Sequence, residues 1–590
     1  MNMKRKQLFV LLTTLCLTIG SVYAAPNNPK YLPPEPITLP DRRWPERVIE
    51  RAPLWASVDL RDGNQALPEP LTPDRKLDCF RLLCDIGFKE IEVAFPAASQ
   101  DDFAFVRMLI EERAIPADVR ISVLTQAREA QIARTVEALA GAPRALLHLY
   151  LPTSDLHLRY VLGIDEPCLF ETAEASVRLI RRLLREAALE DRVGLEFSME
   201  EFTDTPLERS LELAHRVKAA WGPCDPADFV LNLPATVERR PPNQYADMVE
   251  YFIRRFRDIK EATISIHPHN DRGCAVAAGE LALLAGAARV EGTLFGGGER
   301  TGNLDLTVLA LNLKAAGVEP GLDFSHLTEL AETVEKTTGE ELAPRHPYAG
   351  RFAFTSFSGS HQDAIRKVLA HRGAIDAALG QRWKVPYLPL DPADIGRSCE
   401  PLIRLTSQSG RGGVAYLLEH DCHLELPAAM EPAVARQVQI ATDESGGELT
   451  SAELRTLFMD HFVNIASPWS MTDYSRITSS TGDRLGVRFV WHDGAGEHEL
   501  YGQGNGPLSA VVNALNGSGL LPEFVLEDYH AQSLGTGGDA DAMAYIAIRR
   551  GDRVVYGAGQ HSNIDRAAVA ALVSALNLAA GKDPAYATCQ

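Results

Sequence analysis

The sequence predicts an α/β protein: a (β/α)8 TIM barrel over residues 49–349, linker subdomains over 350–467 and a smaller α+β domain over 468–590. Three observations point there. Short β-rich runs alternate with longer helical stretches eight times from residue 55 onward. Most of these runs are continuously apolar, as strands buried on both faces of a parallel sheet must be. Polar, chemistry-bearing residues recur at the C-terminal ends of the runs, where barrel enzymes gather their catalytic groups into one mouth.

The eight runs are WASVDL, EIEVAF, VRISVLT, ALLHLYL, VGLEFSM, DFVLNLP, TISIHPH and VEGTLFG. Between them lie stretches such as DRKLDCFRLLCDIG and AEASVRLIRRLLREAALE. The second has apolar residues three and four apart, a spacing that places them on one helix face. Eight such units over about 270 residues is the size of a closed barrel. A doubly wound open sheet is the competing arrangement, and it calls for a Gly-rich phosphate loop after the first strand. Here the first run leads into DLRDGNQ, which has no such loop.

Residues 1–25, MNMKRKQLFVLLTTLCLTIGSVYAA, have a basic start, an apolar stretch and small residues at Val22 and Ala24, the form of a secretory leader. The apolar stretch from Leu8 to Gly20 is short for a permanent membrane span. Residues 26–48 are Pro-rich; proline fixes φ and removes donors, so they read as an extended strap. At the other end, residues 468–580 contain two similar halves, one with ELYGQGNGPLSAVVNALN and one with VVYGAGQHSNIDRAAVAALVSALN. Each reads as a strand, a glycine turn (Tyr501-Gly502, Tyr556-Gly557) and an Ala-rich helix, so the two should pack around a pseudo-symmetric core.

A length of 590 residues suggests about four domains. With 45% hydrophobic and 23% charged residues the composition is globular. Asp and Glu number 79 against 59 Lys and Arg, a formal charge of -20, which excludes a general nucleic-acid binder. No stretch beyond the leader approaches a membrane-spanning run. Nine cysteines without a CxxC pair exclude a disulfide scaffold and a structural zinc site.

The candidate chemistry lies at the run ends. Arg61 and Asp62 follow the first run, His148 lies on the fourth, and Glu200 and Thr236 end the fifth and sixth. The seventh carries His267 and His269, and the eighth leads into GGGERTGN with Glu299, Arg300 and Asn303. Side chains at i and i+2 of a strand share a face, so both histidines can reach one cation. Two histidines, the Asp62 carboxylate and the Asn303 amide oxygen suit a divalent cation of intermediate hardness. The competing reading of HxH is a pair of hydrogen-bonded histidines; Asp62 and Asn303 at other strand ends favour the metal. Arg61 beside Asp62 would stabilise developing oxyanion charge. Glu200 is a candidate general base, or a carboxylate orienting one, and spacing alone does not choose between it and Glu201. The glycines of GGGERTGN let backbone approach a ligand closely.

DLRDGNQ, EIEVAFPAASQDDF, NLPATVE, HPHNDRG, GERTGN, FSGSHQDA and VPYLPLDP follow one another in that order. The set resembles the 2-isopropylmalate synthase family in its longer bacterial form, from about Lys30 to about Gly581. RDGNQ, HPHND and GERTGN mark the Claisen-condensing barrel enzymes as a group, and FSGSHQDA with VPYLPLDP narrows the match to this branch. The resemblance implies a divalent-metal-dependent acyltransferase that joins acetyl-CoA to 3-methyl-2-oxobutanoate and hydrolyses the thioester, committing carbon to leucine. It implies Asp62, His267, His269 and, less directly, Asn303 as metal ligands, with Mg2+ first, Mn2+ or Zn2+ as alternatives and K+ as a candidate activator. Arg61, His148, Ser198, Glu200 and Thr236 resemble the keto-acid pocket, and Glu299 a further substrate-binding residue. His361 and Tyr387 resemble catalytic residues that reach the neighbouring subunit's site, which implies a homodimer. Residues 468–590 resemble a leucine-sensing regulatory and dimerisation domain, with Gly535, Gly537, Gly538 and Asp539 of LGTGGDADA as the ligand loop. The base that deprotonates the acetyl methyl group is open among His361, Tyr387 and Glu200.

Homocitrate or citramalate synthase would share every metal ligand and differ in keto acid. A non-catalytic leucine sensor is the reading from another class, and the intact Asp62, His267 and His269 set argues against it. Three departures from the family pattern bear on keto-acid preference: Gly297, Ala94, and Leu151 in place of a polar residue. The substrates are cytosolic metabolites, so the implied location is cytoplasmic, with export through residues 1–24 as the alternative.

Overall fold

Eight parallel strands close into a barrel in sequence order in the computed structural model: β1 (Leu54–Ser57), β2 (Glu90–Ala94), β3 (Arg120–Gln126), β4 (Ala145–Pro152), β5 (Val193–Glu200), β6 (Phe229–Ala235), β7 (Thr263–Pro268) and β8 (Arg289–Gly292). The structure describes residues 30, 34–356, 358–380, 382–397, 411–445, 449–477, 485–535, 540–581 and 587–588. The segment read as a leader, 1–25, lies outside them. The chain divides into two compact units between Leu342 and Ala343. Among the described residues no helix is long and apolar enough to cross a membrane, and the six described cysteines are free.

Local chemistry sets the barrel helices. Helix α1 (Pro73–Ile86) starts on a proline, whose missing N–H is no loss there, and stops at Gly87, which takes φ 115°. Helix α2 (Gln100–Glu111) starts where the Ser99 hydroxyl accepts from the Asp102 N–H at 3.1 Å. The strap is clasped to the barrel: the Asp247 carboxylate accepts from Arg42 Nε at 2.8 Å and from the Trp44 indole at 2.8 Å, and Glu250 accepts from the Arg43 and Trp44 backbone N–H groups. It is not wholly extended, since Trp44–Glu46 form a short 3-10 turn.

The strand interiors differ from the apolar reading. Outward positions such as Ile91 and Val93 are buried under helices, but inward positions carry charge. Arg289 Nε donates to Glu90 at 2.7 Å, and its Nη1 donates to Glu196 at 2.9 Å and to Ser265 Oγ at 2.8 Å. Arg289 also pairs with Glu291, and Arg120 with Glu90. Burial pushes Glu196 above the ordinary carboxylate range, against the pull of Arg289.

The first run is also shorter as a strand than its sequence suggests. The chain leaves β1 at Val58 and winds into a wide π-helical turn, Asp59–Gly63, which delivers Arg61 and Asp62 to the mouth. Asp59 anchors this turn: its carboxylate oxygens accept from the Leu294 N–H at 3.0 and 3.2 Å, and Oδ2 lies 2.7 Å from Ser57 Oγ. Burial pushes the Asp59 carboxyl up to about 7. Between pH 4 and 7 the unfolded chain loses this proton first, so the group lowers stability as pH rises, and the loss is complete above pH 7. Asp59→Asn should flatten that fall, on the order of a few kcal/mol. Melting temperatures of wild type and variant from pH 4 to pH 8 check it; parallel curves would refute it.

In the second unit, helices α3 (Gly359–Ala370), α4 (Arg372–Leu379), α5 (Arg411–His420), α6 (Glu431–Ser445) and α7 (Ser451–Phe462) precede two antiparallel sheets. One has the order β11 (Glu497–Gly504), β10 (Leu485–His492), β9 (Ser470–Ile477). The other has the order β12 (Val525–Ser533), β13 (Ala542–Arg550), β14 (Arg553–His561), β15 (Ala587–Thr588). Helices α8 (Pro507–Ser518) and α9 (Ile564–Ala580) pack on these sheets around one apolar core. The two halves repeat, but their glycines are not turns. Gly502 lies within β11 and Gly557 within β14, and each faces the helix that follows. A Cβ there would lie 2.0 Å from the Ala510 carbonyl oxygen or 2.2 Å from the Ala575 nitrogen. Glycine lets each helix backbone rest directly on its strand.

Candidate active site

All eight strand ends contribute to one cavity of about 320 Å³ at the C-terminal mouth of the barrel. Its polar floor holds Arg61, Asp62, His267 and His269, and its apolar wall holds Phe95, Leu124, Tyr150 and Pro234. The His267 ring lies in β7, and His269 follows the strand and bridges to Asn303. The two imidazole centroids are 5.1 Å apart. His267 Nε2 lies 3.5 Å and His269 Nε2 3.8 Å from Asp62 Oδ2.

Two buried oxygens here have no hydrogen-bond partner, Asp62 Oδ2 and Asn303 Oδ1. Buried polar atoms are almost always satisfied, so these two oxygens call for a partner. Asp62, His267 and His269 also offer ligand atoms within 4.8 Å of one another. Two nitrogens and two oxygens suit a divalent cation. The glycine loop aims Asn303: its Nδ2 donates to the Gly297 carbonyl at 3.0 Å, turning Oδ1 away. Gly298, at φ 127°, makes room, because a Cβ there would lie 2.2 Å from Asn303 Nδ2.

Electrostatics follow from burial and pairing. Burial pushes Asp62 up, but Arg61 and the two histidines outweigh it and hold the carboxyl far below its usual range. Burial pushes His267 down, but Asp62 and Glu291 outweigh it and raise it to about 9. His269 falls to about 4, through burial and the neighbouring His267. Arg61 pairs with both Asp62 and Glu92. Glu92 also holds His148 through Nδ1 at 3.0 Å, and His148 Nε2 meets Ser198 Oγ at 2.6 Å. Burial raises Glu200, with Glu201 adding to the rise and His157 and Arg61 opposing it.

Three family models cover most of the chain. The HMGL-like model matches residues 52–334, the alpha-isopropylmalate synthase post-catalytic domain-like model 351–419, and the LeuA allosteric (dimerisation) domain model 448–580. The 2-isopropylmalate synthase of Rhodospirillum rubrum is 45% identical over 551 residues, spanning 93% of this chain and 98% of that one. That of Cupriavidus taiwanensis is 48% identical over 551 residues, spanning 93% and 94%. The chain belongs to the 2-isopropylmalate synthase family. It is an acyltransferase of that family, and the unpartnered donor set fits the divalent cation such an enzyme requires.

Within this 2-isopropylmalate synthase fold, Arg61, His148, Ser198, Glu200, Thr236 and Glu299 all line the cavity with the metal-type residues. Thr236 Oγ1 accepts from the Glu201 N–H at 2.9 Å, and Glu299 accepts from Gln65 at 3.1 Å. Glu201 turns away from the cavity, at φ 59°, to meet His157 Nδ1 at 2.6 Å. His361 and Tyr387 belong to the second unit, where their rings stack with centroids 3.8 Å apart and Tyr387 takes φ 64°. Gly535 follows β12, beside the Leu534 N–H that donates to the Asp541 carbonyl at 2.7 Å. Gly537, Gly538 and Asp539 lie outside the described residues.

Leu151 was expected near the keto-acid pocket. It is buried, and β4 lines the cavity with His148 and Tyr150 instead, so the strand's period of two turns Leu151 the other way. Gly297 acts through its carbonyl, which also accepts from Thr293 Oγ1 at 2.8 Å, so its missing side chain leaves Asn303 in place. Sequence reasoning passed over Glu92, Glu291 and Asn232. Their signal was polar residues two apart within the apolar runs: Glu90 and Glu92, Arg289 and Glu291.

Proposed function

We propose that this chain condenses acetyl-CoA with 3-methyl-2-oxobutanoate and water to give 2-isopropylmalate and CoA, with Mg2+ as its cation. The observation that carries this reading is the buried Asp62, His267 and His269 cluster, with Asp62 Oδ2 left without a hydrogen-bond partner, in a cavity with an apolar wall. A cation held by Asp62, His267, His269 and Asn303 would polarise the ketone of a bound 2-keto acid. Arg61, fixed by Glu92 and Asp62, takes up negative charge that develops on the keto oxygen. Thr236 accepts from a backbone N–H and so keeps its hydroxyl proton to donate to the keto-acid carboxylate. The wall of Leu124 and Tyr150 takes the isopropyl group. Glu200, with its raised proton affinity, holds and releases a proton beside the reacting carbons.

His361 and Tyr387 complete the partner subunit's mouth in a homodimer. Leucine binds the C-terminal domain as the feedback ligand, and the enzyme works in the cytoplasm. The test is a panel of 3-methyl-2-oxobutanoate, pyruvate and 2-oxoglutarate, read as free CoA, with and without EDTA and leucine. Two extra methyl groups against the apolar wall should favour 3-methyl-2-oxobutanoate over pyruvate by about tenfold or more in kcat/KM. EDTA should abolish turnover, with Mg2+ restoring it, and leucine should lower it. A preference for pyruvate or 2-oxoglutarate would move the chain to a citramalate or homocitrate synthase.

A further inference from the structure

We infer that Glu291 is a positioning residue that locks the metal ligand His267 in its binding orientation. The inference rests on the metal reading of the Asp62, His267 and His269 centre and adds a residue that this reading does not use. Glu291 lies on β8 facing the barrel interior, and it is fully buried. Its Oε2 lies 2.6 Å from His267 Nδ1 and accepts from Asn232 Nδ2 at 3.0 Å. Its Oε1 pairs with the Arg289 guanidinium. Both carboxylate oxygens are therefore committed, and the group cannot swing away from the imidazole.

The chemical consequence is specific. A carboxylate can only accept, so it selects the imidazole form with the proton on Nδ1. Nε2 is then left facing Asp62 at 3.5 Å. Carboxylates that hold the far nitrogen of a metal-binding histidine fix its tautomer and ring angle and raise its basicity. The second histidine has no such support, since His269 Nδ1 is buried without a partner. The two ligands are thus held unequally: His267 is set in advance, while His269 takes its place with the ion.

Arg289 makes the anchor stiff. It is tied to Glu90, Glu196 and Ser265, and Arg120 holds Glu90 in turn. The competing role is purely structural, an ion pair that supports the barrel and nothing more. That role predicts a lower melting temperature for the metal-free chain and an unchanged metal affinity.

The experiment titrates Mn2+ into the full-length, EDTA-stripped chain by calorimetry, for wild type, Glu291→Gln and Asn232→Ala. Glu291→Gln keeps the shape and removes the charge, and it should weaken Mn2+ binding about 10- to 100-fold. Asn232→Ala removes one hydrogen bond to Glu291 but leaves its charge, and should weaken binding several-fold. Glu291→Gln binding Mn2+ within twofold of wild type overturns the inference. Should Glu291→Gln fail to fold, Asn232→Ala binding within twofold of wild type overturns it instead. A wild-type chain that binds no Mn2+ overturns the metal reading itself, which separates the two failures.

Discussion

Asp62→Ala should lower kcat/KM about 1000-fold or more while the barrel stays folded. Asp62 is the only carboxylate in the three-residue metal cluster, and its Oδ2 faces both histidines. Loss of that charge removes a ligand and leaves Arg61 with Glu92 alone beside two imidazoles. A deficit of roughly 4 kcal/mol in transition-state stabilisation corresponds to that factor. CoA release measured with saturating Mg2+, alongside the melting temperature, checks it. Wild-type turnover in a folded Asp62→Ala enzyme would end the metal assignment.

Arg61→Lys should separate catalysis from metal binding. The Arg61 guanidinium reaches Glu92 and Asp62 at once, a forked geometry that a lysine ammonium cannot reproduce. The metal-type ligands themselves are untouched. We therefore expect kcat to fall about 100- to 1000-fold, the usual cost of losing one preorganised donor at a developing oxyanion. Mn2+ affinity should stay within a few-fold of wild type. Unchanged kcat would show that Arg61 serves only to pair Glu92 with Asp62.

The barrel was legible because its periodicity is repeated eight times, so an error in one strand does not disturb the others. The mouth was legible for a related reason: closure brings the strand ends together, so Asp62, His148, Glu200 and His267 meet although they are far apart in sequence. Two kinds of feature escaped. The first is the charged interior, because Glu92 and Glu291 sit in runs whose outward residues are apolar enough to mask them. Their alternation with Ile91, Val93 and Val290 is the period-two signature of a strand with two different faces. The second is backbone geometry. Nothing in DLRDGNQ announces a π-helical turn, and Tyr501-Gly502 looks like a turn until a helix is found lying against that glycine. Such choices depend on what packs from another part of the chain.

The ion chain inside the barrel has a consequence for how the protein meets its solvent. Dissolved salt weakens ion pairs by crowding counter-ions around them, within about 10 Å at 0.1 M, but only where water and ions can enter. Exposed pairs such as Lys89 with Asp118 are open to that effect. The Arg289, Glu90, Glu196 and Glu291 cluster is shut away from it. Brine can therefore loosen the surface while the groups behind His267 keep their arrangement.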